Sequence, residues 1–94
     1  MKMTGIIWLE DIVDKLEREH AVWKHEVKEV FTDRVWFRFV EKGHRPGENL
    51  YSAFGQTEAG RYVIVFFVHK RDGQALVISA REMTETERKT YERQ

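Results

Sequence analysis

The spacing of apolar positions changes period twice along the chain. GIIWL at 5–9 is short, apolar and β-branched, and reads as an opening strand. From Leu9 the spacing turns helical: Leu9, Ile12, Val13, Leu16 and His20 fall on one face, and Glu10, Asp11 and Asp14 sit near the start, where the helix dipole favours acids. That predicts an amphipathic helix ending near His20. Ala21 and Val22 interrupt the pattern. Trp23, Val27, Val30 and Phe31 then share a stripe, which predicts a second helix over about 24–31.

From Val35 the period becomes that of a strand. VWFRFV leads into the polar loop EKGHRPGEN, with its breakers Gly43, Pro46 and Gly47, and then into LYSAFGQT. YVIVFFVH and QALVIS follow, separated by KRDG, whose Asp72-Gly73 pair is a hairpin signal; Ala59-Gly60 marks the tight turn before Tyr62. Four strands in hairpin succession make an antiparallel meander. YVIVFFV is apolar at nearly every position, so both its faces are covered and it belongs at the centre, with helices packed on one side. The reading is an α+β fold over 1–94 as one domain: two N-terminal helices, a four- to five-stranded mainly antiparallel sheet and a short C-terminal helix.

The C-terminal run ISAREMTETERKTYER sets this last element. The strand QALVIS is expected to end at Ser79, with Arg81 emerging beyond it. Thr84-x-x-Glu87 has the form of a capping box, in which the Thr hydroxyl accepts from the Glu87 amide while the Glu side chain reaches back. The helix it starts has almost no apolar content besides Tyr91, with Met83 just ahead of it, so one narrow stripe near Glu87, Arg88 and Tyr91 can meet the sheet.

Composition narrows the function classes. A chain of 94 residues with 41% apolar content can bury roughly 60 to 65% of its unfolded surface, enough for one core. With no cysteine, thiolate nucleophiles, disulfides and zinc ribbons are excluded. The longest apolar run, YVIVFFV, falls far short of the roughly 20 residues a spanning helix needs, so a cytoplasmic protein without a membrane partner is expected. Formal net charge is zero, divided unevenly: residues 1–33 carry five Lys/Arg against eight Asp/Glu, and residues 34–94 eleven against eight. Bulk charge of this kind does not hold a polyanion, so any RNA contact must be local. The histidines lack helical metal-pair spacing and no phosphate-cradling glycine loop is present, so neither metal nor cofactor is expected.

HAVWKHEVKEVF at 20–31, RFVEKGHRPGENLYSAFGQTEAGRYVIVFFV, and ALVISAREMTETERKTYE together resemble the BrnT family of type II toxins, over essentially the whole chain and in the family's order. The helix break after a histidine, the GRY-apolar strand and the ISAR-x-x-T-x-x-E-x-x-x-Y ending carry the resemblance jointly. It implies a RelE-like fold and metal-independent cleavage of RNA. It also implies a ribbon-helix-helix antitoxin that blocks the toxin and represses the shared operon, so that operator DNA is met only through that partner. Two positions depart from the family pattern. Glu19-His20-Ala21 stands where Lys-His-Gly or Lys-His-Asn is usual, and Trp23 stands where Ser, Thr or Asp usually caps the second helix.

Metal-free RNA cleavage needs a base for the 2′-hydroxyl proton, an acid for the leaving oxygen and cations for the phosphoryl charge. Arg61 and Arg81 carry forked donors suited to phosphate, and both are expected at strand ends facing one concave site. His20 is the candidate acid or base, since imidazole titrates near neutral pH. Glu87 can orient it or act as base, and Tyr91 can donate to phosphate or stack a base. Each has a structural rival: His20 as a helix-ending cation, Glu87 as a capping partner, Tyr91 as a docking aromatic, Arg61 as the partner of Glu58. Two further function classes stay open, a catalytically inactive toxin-like partner of the antitoxin and a homodimer formed through an exposed edge strand.

Overall fold

A computed structural model describes residues 1–94. In chain order the elements are β1 (Gly5–Ile7), α1 (Glu10–His20), α2 (Lys24–Thr32), β2 (Trp36–Glu41), β3 (Leu50–Gln56), β4 (Tyr62–His69), β5 (Gln74–Glu82) and α3 (Glu85–Glu92). The strands form one sheet in the order β1-β5-β4-β3-β2, antiparallel except for the parallel β1–β5 pair. This is the α+β architecture expected. The opening strand is shorter than its apolar run, because the Leu9 carbonyl accepts from the Val13 amide at 2.9 Å and so belongs to the start of α1. No helix is long and apolar enough to cross a membrane.

Strand alternation divides the core in two. Val63, Val65 and Phe67 of β4, with Ala53, Ala75, Val77 and Ala80 beside them, face Leu16 of α1 and Val27 and Val30 of α2. Ile64 and Phe54 point the other way and meet Tyr91 of α3. Hence β4 is covered on both faces, which is why its sequence is apolar throughout. The helices seat closely: a Cβ on Gly55 would lie 2.9 Å from both Cγ1 and the carbonyl oxygen of Val30, so only glycine lets α2 approach β3.

Helix ends follow local chemistry. Ala21 closes α1 in the left-handed region (φ 50°), and the Val22 amide returns to the Leu16 carbonyl at 3.1 Å. The Trp23 indole can only donate and does not cap α2, but the Glu26 carboxylate accepts from the Trp23 amide at 3.1 Å, giving half a capping box. At α3 the box is complete: Glu87 donates its amide to Thr84 Oγ1 at 3.2 Å, and Thr84 donates its amide to Glu87 Oε1 at 2.8 Å. This polar helix is held by few but specific partners. Tyr91 is buried and donates its hydroxyl to the Arg34 carbonyl at 2.8 Å, and the Arg88 guanidinium lies 4.2 Å from the Tyr62 ring centre.

One departure from the expected strands bears directly on the site. β5 does not end at Ser79 but stays paired through Glu82, opposite Val63. A bulge in β5, opposite Phe66 and Phe67 of β4, shifts the register: Val77 faces Phe67, Ser79 faces Phe66, and Ile78 is left over. One extra residue reverses the facing of everything beyond it. Arg81 therefore stands opposite Ile64, on the α3 face, whereas an unbroken register would have set it opposite Val63, on the face of α1 and α2.

Candidate functional site

Arg61 is presented by the β3–β4 turn. Its amide donates to Thr57 Oγ1 at 3.0 Å, its carbonyl accepts from the Thr57 amide at 2.8 Å, and Gly60 (φ 94°) makes the tight bend expected there. From this base the side chain crosses to the helices. Nη1 donates to the Ala21 carbonyl at 2.7 Å and to both Glu26 oxygens at 2.8 and 2.9 Å, while Nη2 reaches Glu82 Oε2 at 3.3 Å. Partial burial works against the guanidinium charge, and the hydrogen bonds and attraction of Glu26, then Glu82, outweigh it and raise the pKa above its ordinary value. The pairing with Glu58, the structural rival for this arginine, does not form. Glu58 instead turns its amide to Glu29 Oε1 at 3.0 Å.

His20 is the last residue of α1 and is half-buried. It comes to the same end of the sheet as Arg61, because the carbonyl of the next residue, Ala21, is one of the Arg61 acceptors. The backbone at the end of α1 is thus a neighbour of Arg61, although the groove beside Arg61 is not lined by His20.

Arg81 is not such a neighbour. It lies across the sheet from Arg61, so the single concave site expected for both is replaced by two clusters on opposite faces, and the register shift in β4–β5 is the physical reason. Nor does Arg81 stand free. Its Nη1 and Nη2 meet Glu87 Oε1 and Oε2 at 2.7 and 2.9 Å, a fork-to-fork pair, and its guanidinium lies 5.6 Å from the Phe66 ring centre. The hydrogen bonds from Arg81 hold the Glu87 carboxyl below its ordinary 4.5 against partial burial, helped by the Thr84 amide. Those from Glu87 in turn raise the Arg81 pKa. Glu87 is thus capping partner and counter-ion at once. Tyr91 shares this face, packed on Phe54 and Ile64, and burial raises the pKa of its phenol.

The clusters touch at one residue. Glu82 offers its carbonyl to Arg81 Nη1 at 3.2 Å and its carboxylate to Arg61. Around it an open groove of about 480 Å³ runs along the strand ends, lined by Gln56, Gly60, Arg61, Tyr62, Glu82, Met83 and Arg88. A second groove, of about 430 Å³, adjoins it through Gln56 and Gly60 and reaches Arg34 and Tyr91. No three His, Asp or Glu side chains gather as a metal site would require.

Sequence reading missed Glu26, Glu82 and Arg88. A signal for Glu26 was available: it falls on the apolar stripe of α2, between Trp23 and Val30, and a carboxylate there must find a partner. Arg88 falls on the stripe of the last helix that spacing turns toward the sheet, but for its place beside Arg61, as for Glu82, the sequence carries no signal, because only the strand-end geometry puts them there.

The family model described as "Ribonuclease toxin, BrnT, of type II toxin-antitoxin system" matches residues 8–87. Among curated proteins none matches the chain. The matched span contains His20, Arg61, Arg81 and Glu87, and stops short of Tyr91.

Proposed function

The chain belongs to the BrnT family of ribonuclease toxins of type II toxin-antitoxin systems, and on that footing we propose that it is a metal-independent endoribonuclease working in the cytoplasm. Its substrate is RNA, cut by internal attack. The 2′-hydroxyl oxygen bonds to the adjacent phosphorus as the P–O5′ bond breaks, the hydroxyl proton passes to a base, and O5′ takes a proton as it leaves. The products are a 2′,3′-cyclic phosphate and a 5′-hydroxyl.

In this reading Arg61 meets the charge that grows on the phosphoryl oxygens. His20, brought to the same strand end, moves the proton. Arg81 with Glu87 and Tyr91, on the other face, serve the site by fixing the end of β5 and α3, and Arg81 contacts the RNA backbone where the strand passes that face. The observation that carries the proposal is the seating of Arg61: a partly exposed guanidinium beside an open groove, aimed by a rigid turn and by the buried Glu26. A ribbon-helix-helix antitoxin is the expected partner in the cell, and operator DNA is contacted only through it.

A second reading, a catalytically silent partner of the antitoxin, is favoured by a specific feature: Arg61, Arg81 and Arg88 each already hold a carboxylate. Induced expression in a growing culture separates the two. An active ribonuclease arrests growth, and its Arg61→Ala variant, folded by circular dichroism, does not. Growth unchanged by the wild-type chain, with folded protein accumulating, assigns the silent role.

A further inference from the structure

Arg61 is held by two carboxylates that differ in every respect that matters for exchange. Glu26 has a side chain only 7% exposed, touches Nη1 with both oxygens, and is fixed in addition by the Trp23 amide. Glu82 has a side chain 66% exposed and touches Nη2 with one oxygen at 3.3 Å. That carboxylate has no other partner. An ion pair so exposed and so long is worth little, whereas a phosphate oxygen on the same N–H forms a shorter, charge-assisted hydrogen bond. Across the groove the Arg88 guanidinium shows the same economy: it lies over the Tyr62 ring, and its only carboxylate, Glu92, is 3.6 Å away and half exposed.

We propose that this groove is a binding site for a backbone phosphate of single-stranded RNA, held between Arg61 and Arg88, and that Glu82 is its displaceable occupant. Glu26 positions Arg61 and stays; Glu82 swings out as the phosphate enters. The outer N–H of Arg61 is thereby kept paired until RNA arrives, and the affinity of the free protein is set below what its two guanidinium groups alone would give. That the phosphate belongs to RNA rests on the ribonuclease reading above. The exchange itself rests on the asymmetry of the two carboxylates.

The test uses the full chain and a 2′-O-methyl oligoribonucleotide, which keeps the backbone charge and cannot be cut, titrated at low salt, alongside cleavage of ordinary RNA. Glu82→Gln is expected to tighten binding about three- to tenfold. Arg88→Ala should weaken it by a similar factor, and Glu41→Gln, which removes the same charge at the far end of the sheet, should have a markedly smaller effect. Equal tightening by Glu41→Gln and Glu82→Gln, or no tightening by Glu82→Gln, overturns the proposal. Wild-type cleavage with no Glu82 effect leaves the ribonuclease reading standing and removes the exchange. Tightening by Glu82→Gln with no cleavage by any form keeps the phosphate site and removes the ribonuclease. Neither binding nor cleavage by the folded protein overturns both.

Discussion

Nη1 of Arg61 holds both oxygens of Glu26, at 2.8 and 2.9 Å, and so ties the turn before β4 to the first turn of α2. Removing the carboxylate leaves a partly buried guanidinium with only the long, exposed contact to Glu82 for its charge and frees the Trp23 amide. Glu26→Ala should therefore cost about 1–3 kcal/mol, the lower end reflecting the solvent that still reaches Arg61. Urea denaturation of the two forms checks this, and an unchanged midpoint would mean that Glu26 does not anchor the arginine.

Acid should act through Glu87. Its folded pKa lies below the ordinary 4.5 because of Arg81. A depressed carboxylate gives stability that is fully present above the unfolded value and is lost as pH falls through the folded one. Glu87→Gln lacks this contribution. The gap in urea midpoint between wild type and Glu87→Gln should thus be widest above the ordinary value of 4.5 and close as pH falls through the lower folded value. A gap independent of pH would show that the pair contributes nothing through ionisation.

Ala21 closes α1 at φ 50°, where a Cβ is unfavourable. Ala21→Gly should raise stability by about 0.5–1 kcal/mol, the relief of the left-handed conformation exceeding the entropy glycine gains when unfolded. The Arg61 contact is to the Ala21 carbonyl, which the substitution keeps. Thermal unfolding reads the change.

Gly55 makes the opposite case. A Cβ there would meet the Val30 backbone at 2.9 Å, so Gly55→Ala forces α2 away from β3 and should cost about 1–3 kcal/mol. A Tm equal to that of wild type would mean the helix is free to shift.

Periodicity made most of the fold legible, and the reasons it missed the rest are local. The two helices, the central place of β4 and the Thr84–Glu87 box each follow from spacing alone, since burial on one face or two leaves a distinct apolar pattern. The placement of Arg81 does not. Nothing in QALVISARE announces that Ile78 is the residue left over, yet that single bulge sends Arg81 to the face opposite Arg61 and divides what spacing suggested was one site. Residue chemistry made Arg61 and Glu87 legible as candidates, while Glu82 and Arg88 became visible beside Arg61 only once the strand ends were brought together.

Cleavage of a labelled mixed-sequence RNA by the purified protein in EDTA, compared with its Arg61→Ala variant and with product ends mapped, tests the ribonuclease activity most directly. Cutting that survives EDTA, leaves 2′,3′-cyclic phosphate and falls by about two orders of magnitude in the variant is the predicted result. Folded protein at high concentration that leaves the RNA intact, or cutting that proceeds equally without Arg61, would contradict it.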